Sequence, residues 1–332
     1  MPSNGKWLVL MTALIAATGA SAAGAPPPVA APDATLLVSG LQGGSGSAIG
    51  PGGDLFVTEG LTGRISRVDL KTGTVSTFAS GLPPSIVGIG GAMDIAFIGS
   101  TAYVLVTLVG ADVGGSDVVG VYRVDGPDSF TVIADIGEFA LANPPNTAFF
   151  VPTGVQYAIE TYRGGFLVTD GHHNRVLRVT LDGEVTELIT FDNIVPTGLA
   201  VSGNTIYVAE AGPVPHLPAT GKVVAVAPNE LIATEVASGA RLLVDVEFGR
   251  GRTLLALSQG VFTPGNPEGS PADPDTGSLV AVNGDGTFTV LTEGLDRPTS
   301  LEVIGNTAYV VTFDGEIWKI DNVSGPPYGA SR

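Results

Sequence analysis

Short runs of alternating apolar and polar residues recur six times along the chain. They read Arg64-Ile65-Ser66-Arg67-Val68, Val121-Tyr122-Arg123-Val124 and Arg175-Val176-Leu177-Arg178-Val179. They return as Lys222-Val223-Val224-Ala225-Val226, Ser278-Leu279-Val280-Ala281-Val282 and Glu316-Ile317-Trp318-Lys319-Ile320. A period of two predicts strands, and their long-period recurrence predicts a propeller or an array. Each unit reads as four strands. In the fourth unit these are Thr197–Val201, Thr205–Val208, Lys222–Val226 and Ile232–Ala237, with a Gly203-Asn204 hairpin turn between the first two. Gly305-Asn306 plays the same part in the last unit. That unit stops after its third strand. The missing fourth strand stands at the front of the chain, as Leu36-Leu37-Val38-Ser39. Joining the two ends in one blade removes an exposed edge. The expected fold is therefore an all-β, six-bladed β-propeller over residues 35–323, its last blade closed by the N-terminal strand. An open β-sandwich array is the alternative.

Loop length separates two faces. Connections between strands one and two, and between three and four, are short. The long insertions are Leu108–Asp117, Ala211–Thr220 and Gly260–Thr276 between strands two and three, and Gly81–Gly91 and Ile136–Val151 between blades. In a propeller these two classes share one face, and long loops on a rigid scaffold commonly carry function. His172, His173 and His216 all fall in this set, and Asp170 and Glu210 end the preceding strands. They form either a metal or acid–base site or merely polar turns. First strands should line the central channel. Aligning Asp94-Ile95-Ala96, Gly154-Val155-Gln156, Gly198-Leu199-Ala200, Asp245-Val246-Glu247 and Ser300-Leu301-Glu302 gives a channel set of Asp94, Gln156, Asp245, Glu247 and Glu302. Oxygen donors of this kind suit calcium, with Asp94, Asp245, Glu247 and Glu302 as candidate ligands. A channel that is simply wet and polar is the alternative. The acidic loop around Glu268, Asp273 and Asp275 lacks the ordered spacing of a calcium loop and reads as a lid or a solvated segment. The recurring bases Arg67, Arg123, Arg178 and Lys319 follow the repeat, which points to a structural role.

Composition narrows the class. The 332 residues carry 47 Gly and 24 Pro but only 14% charged residues, as suits an all-β chain with many tight turns. A net charge of -17 disfavours nucleic acid as a partner. The absence of Cys excludes disulfides and thiolate metal sites. Lys6, the apolar stretch Trp7–Ala17 and Ala20-Ser21-Ala22 read as a signal peptide over residues 1–22. An Ala/Pro-rich linker follows over 23–34, and 324–332 reads as a loose tail. The expectation is an exported protein, secreted or periplasmic, without stable membrane insertion after cleavage. A retained membrane-tethering helix is the other reading of the same segment.

The order of Pro152-Thr153-Gly154, Leu167–Val179 with its Asp170-Gly171-His172-His173-Asn174-Arg175 turn, Pro196-Thr197-Gly198-Leu199, Ile206–Glu210, Gly277–Val280 and Arg297-Pro298-Thr299 resembles the ScyD/ScyE family of secreted propellers, related to NHL-repeat proteins. The resemblance spans roughly residues 35 to 322. It implies an exported six-bladed propeller with no assigned reaction, a module binding a small molecule or an extracytoplasmic protein, and it supplies no catalytic residues. Two further likenesses carry alternatives. Calcium-dependent lactonases use channel carboxylates, but the Asn ligands expected of them are missing here. Leu55–Glu59 with Gly63-Arg64-Ile65 looks like quinone-dependent sugar dehydrogenases, yet no basic cluster stands ready for the cofactor's carboxylates.

Overall fold

A computed structural model describes residues 32–227, 231–267 and 269–324. The expected signal peptide, most of the linker, Glu268 and nearly all of the tail lie outside the described residues. Six four-stranded antiparallel sheets form the blades of a six-bladed β-propeller. Their innermost strands are Gly44–Ile49, Gly91–Ile98, Gln156–Tyr162, Pro196–Ser202, Leu243–Phe248 and Pro298–Ile304. Each packs on the innermost strand of the next blade, and the sixth returns to the first.

The closing strand is where its orphan pattern places it. Asp33–Val38 pairs antiparallel with Ile317–Asp321, with Leu36 opposite Trp318 and Val38 opposite Ile317. Its inward residue Val38 joins Leu41, Leu55, Val57, Tyr309 and Ile317 in the core between the last blade and the first. Equivalent apolar clusters fill the other five blade interfaces, so each blade buries both faces against its neighbours. Removing the closing strand would expose both an apolar face and an unpaired edge.

Two local readings change. In the hairpins Gly203-Asn204 and Gly305-Asn306 only the glycine takes positive φ, +64° in each, so the turns are of the Gly-first kind rather than positive at both residues. The connection Ile136–Val151 begins with a short helix, Ile136–Ala142, whose first turn is capped by Asp135 accepting the Glu138 N–H at 2.7 Å. Most of the recurring third-strand bases settle in local pairs. Arg123 bonds Asp125 and Lys319 bonds Asp321, at 2.6 and 2.7 Å, and Arg67 bonds Asp54. No helix among the described residues is long and apolar enough to cross a membrane.

Candidate functional site

Every innermost strand carries a register shift near its start, a β-bulge that turns the chain from the loop-bearing mouth into the channel. Counting from the pairs after the bulge (Ile95 with Val104, Ile159 with Val168, Val246 with Ala256, Leu301 with Val310) makes Asp94, Ala158, Asp245 and Ser300 equivalent. Two residues further along, Ala96, Glu160, Glu247 and Glu302 are equivalent. This corrects one member of the expected channel set. Gln156 does not reach the channel. It is fully buried opposite Asp170, accepts the Thr107 hydroxyl at 2.7 Å, and donates to the Thr153 carbonyl and to Asp170 Oδ1, each at 3.0 Å. The channel residue of that blade is Glu160, which the alignment on Gly154 misses.

Asp94 and Asp245 are staples between blades. Asp94 accepts the N–H of Ile95 and, across the interface, that of Ile159, each at 2.8 Å. Asp245 accepts those of Val246 and Leu301 at 2.8 and 2.7 Å. The preceding blade makes room with a glycine. A Cβ on Gly46 would lie 2.1 Å from Asp94 Oδ1, and one on Gly198 would lie 2.4 Å from the Asp245 Cα. The unit glycine–aspartate–amide thus occurs at blades one to three and again at four to six.

Beyond these staples, away from the loop-bearing mouth, lies a cavity of about 250 Å³ walled by Glu160, Glu247 and Glu302 together with Asp94 and Asp245. Among the described residues, no Lys, Arg or His faces it. Burial pushes Asp94, Asp245 and Glu247 up to about 8, the backbone amides pulling the two aspartates back. Burial and then the neighbouring carboxylates carry Glu302 well above the ordinary range, and burial raises Glu160.

On the loop side of the staples a second cavity of about 140 Å³ has a different character. His172, His216, Tyr157, Met93, Val244 and Phe313 stand in its wall. His172 is set by a tight turn, Gly171–His173, which ends on Asn174 at φ 55°. The Asn174 side chain accepts the N–H groups of Ile194 and Val195 at 2.8 and 3.0 Å, locking the turn to the next blade. His172 Nε2 lies 2.9 Å from the Tyr157 hydroxyl, and Phe150 meets the ring edge-on at 4.8 Å. Burial, and secondarily His216, lowers His172 to about 4; burial also lowers His216. Both imidazoles are therefore neutral near pH 7, and the Nδ1 of each is buried without a partner.

Besides Gln156, three expected site residues, Asp170, His173 and Glu210, stay outside both cavities. Asp170 and His173 are fully buried around Arg175. Arg175 donates to Asp170 Oδ2 at 2.9 Å and to the Asn143 carbonyl at 2.7 Å, while its Nη2 lies 3.1 Å from His173 Nδ1. Glu210 stands 3.7 Å from Lys222, and burial lifts it to about 7 against the pull of that lysine. The Asp170–Arg175 and Glu210–Lys222 pairs repeat the Glu59–Arg64 pair of the first blade across the same strand positions. They are blade architecture. Among the described residues, no group of three or more Asp, Glu or His side chains is arranged to hold a metal ion. The calcium ligands expected from the sequence do not form such a group: Asp94 and Asp245 spend both oxygens on backbone amides.

Fold and cavities together define a six-bladed propeller with one elaborated channel mouth. Solved structures with the same fold include virginiamycin B lyase from Staphylococcus aureus (12% identity, TM-score 0.53, covering 87% of this chain and 98% of that one). They also include a gluconolactonase from Xanthomonas campestris (13%, 0.60, 87% and 89%) and the PQQ-bound aldose sugar dehydrogenase of Streptomyces coelicolor (15%, 0.57, 89% and 99%). No family model and no curated protein matches the sequence. At these identities the likeness is one of fold.

Proposed function

We propose that this protein is an exported propeller that binds a small molecule in the cavity at the loop-bearing mouth of its channel. The observation that carries this reading is a mainly apolar cavity bounded by two neutral histidines whose Nδ1 atoms lack partners. Concave apolar sites with a few convergent polar groups are the usual form of a ligand site. Its walls come from the long connections themselves, at Ile89–Gly90, Ala211, His216 and Gly269–Pro271. The export part of the reading rests on residues 1–22 of the sequence. An extracytoplasmic protein partner would meet the same face, where Ile86, Val87, Phe149 and Phe150 are exposed.

The two enzymatic alternatives have less behind them. A metal-dependent lactonase needs free carboxylates around a cation, and the two staples are already engaged. A quinoprotein needs bases for an anionic cofactor, and no Lys or Arg among the described residues lines the cavity.

Full-length protein isolated from its native host should carry or bind a small molecule seen by native mass spectrometry, and its mature N-terminus should lie near Ala23. Val244→Trp, which fills the cavity, should abolish that binding while the far-ultraviolet circular dichroism is kept. Undiminished binding in the filled variant would overturn the site. Turnover of simple lactones dependent on calcium would favour the hydrolase.

A further inference from the structure

The hydrogen bonds around His172 constrain what the cavity can accept. A tyrosine hydroxyl has one proton to donate, and a neutral imidazole has one N–H and one lone-pair nitrogen. The Tyr157 hydroxyl has a single partner, His172 Nε2. If Nε2 carried the ring proton, two groups would be stranded: the tyrosine proton and the Nδ1 lone pair. If the tyrosine donates to Nε2, only the Nδ1–H lacks a partner. Buried polar groups are satisfied wherever they can be, so the second arrangement holds. His172, 5% exposed, thus lines the cavity with an unpaired Nδ1–H that is itself buried within the cavity wall. A buried orphan of this kind carries its desolvation cost until something accepts it.

Charge and shape set the rest. The cavity opens onto a groove of about 500 Å³ that shares Ile89, Tyr157, His172, Pro271 and Phe313 with it and adds Val87 and Phe150. No Lys, Arg, Asp or Glu lines the groove among the described residues. The cavity's own acids are Asp94 and Asp245, with no cation beside them. An anion would meet no Lys or Arg among the described lining residues, only the carboxyl oxygens of Asp94 and Asp245. A cation would gain little, because four backbone amides already engage those carboxyl oxygens.

We propose that the ligand is an uncharged molecule with an apolar body that presents a neutral acceptor oxygen, such as a ketone, ester or amide carbonyl, to the Nδ1–H of His172. This rests on the small-molecule reading of the same cavity. Tyr157 is then a positioning residue: it fixes the imidazole tautomer and touches the ligand only as wall.

Four probes on one bicyclic body test the ligand class by calorimetry with the full chain at pH 7: 1-indanone, indane, 1-aminoindane and indane-1-carboxylate. The ketone should bind about tenfold tighter than indane, the gain of one net hydrogen bond, and tighter than either charged probe. His172→Phe should bring the ketone down to the affinity of indane and leave indane unchanged. Tyr157→Phe, which keeps the ring but frees the tautomer, should narrow the ketone's preference. Nitrogen-15 spectra of the histidine rings should show the Nδ1–H form of His172 in the unaltered protein and a mixture in Tyr157→Phe. Equal affinity for ketone and indane, a charged probe binding tightest, or an Nε2–H tautomer would each overturn the ligand class while leaving a small-molecule site standing. Binding of none of the four would overturn both.

Discussion

The two ends of the channel are built by the same six strands and ask opposite things of the solvent. At the loop-bearing end the titratable groups are His172 and His216, held neutral by burial that lowers them. At the far end they are Glu160, Glu247 and Glu302, which burial raises. Desolvation is the main cause at both ends and disfavours whichever form is charged. The difference lies in which elements supply the groups: connections between second and third strands at one end, the innermost strands at the other. The Asp94 and Asp245 staples mark the boundary, and their bonds run between blades, so they serve the ring before they serve either cavity.

The comparison breaks most completely if the ring is opened. Deleting residues 35–41 removes the strand that pairs with Ile317–Asp321 and the inward residues Val38 and Leu41. Loss of two such buried side chains alone costs about 4 kcal/mol, before the exposed edge is counted. The expected outcome is aggregation and loss of the cooperative unfolding transition, with both cavities lost together. A deletion variant that unfolds at an unchanged denaturant midpoint would show that the closing strand is dispensable.

A smaller break strikes one staple. Gly46→Val would drive a side chain into Asp94, and Gly198→Val would do the same at Asp245. Each should destabilise by about 3 kcal/mol, the scale of overpacking a tight site. Gly53→Ala, where nothing lies within 4 Å of an added Cβ but φ is +82°, should cost only about 1 kcal/mol of backbone strain. Chemical denaturation separates the two cases, and comparable losses at Gly46 and Gly53 would refute the close-packing argument.

How much of this was legible in the sequence follows the same boundary. Blade number, closure and the elaborated face rest on strand periodicity and loop length, which backbone geometry transmits directly. The channel set does not. Pro152-Thr153-Gly154 looks identical to Pro196-Thr197-Gly198, but they occupy different places. Pro196 is already in its strand, paired with Glu210, whereas in blade three the residue paired at that level is Gln156, with Asp170. Gly154, at φ +79°, belongs to the approach to the strand. The matching tripeptide shifted the alignment by four residues, bringing in Gln156 and leaving out Glu160. The alternative alignment of Tyr157-Ala158-Ile159-Glu160 with Met93-Asp94-Ile95-Ala96 held the correct signal, but no alternation pattern marks a bulge. The histidines show the converse limit. Sequence placed His172 and His173 side by side, and only packing separates the one in the cavity wall from the one buried on Arg175.

The opposite shifts sharpen the comparison through pH. The staples Asp94 and Asp245 and the far-end Glu247 have unfolded values near 4 and folded values of about 8. Between those limits the folded protein holds protons that the unfolded chain has released. Their contribution is complete below about pH 4 and is lost as pH rises through about 8, by at most about 1.4 kcal/mol per pH unit for each group. His172 runs the other way: its folded value of about 4 lies below the ordinary imidazole value, so stability is lost as pH falls from about 6.5 towards 4. Melting temperature should therefore fall from pH 6.5 to 9. Glu160→Gln with Glu247→Gln and Glu302→Gln should shrink that limb to the part carried by Asp94 and Asp245, and His172→Phe should leave it unchanged while removing the loss that His172 contributes between pH 6.5 and 4. A profile that rises from pH 6.5 to 9 would contradict the placement of the acids.

The smallest effect concerns calcium, and it asks which set of oxygens is free to answer. A ligand that binds only the folded state raises its stability in proportion to affinity. At pH 6 Glu247, pushed up to about 8, is largely protonated and the staples are engaged by four amides, so millimolar calcium should move the melting temperature by less than about 1 °C. At pH 9 Glu247, which burial pushes up to about 8, carries charge, and relief of its repulsion with the neighbouring carboxyls gives calcium something to gain. A small increment should appear there, vanish in the triple glutamine variant and survive in Asp94→Asn with Asp245→Asn. That pattern separates diffuse relief of repulsion at the far end from coordination by the staples. An increment at pH 6 that disappears with the two aspartates would instead mean that they release their amides to hold the ion, and that the boundary between the two cavities is itself the site.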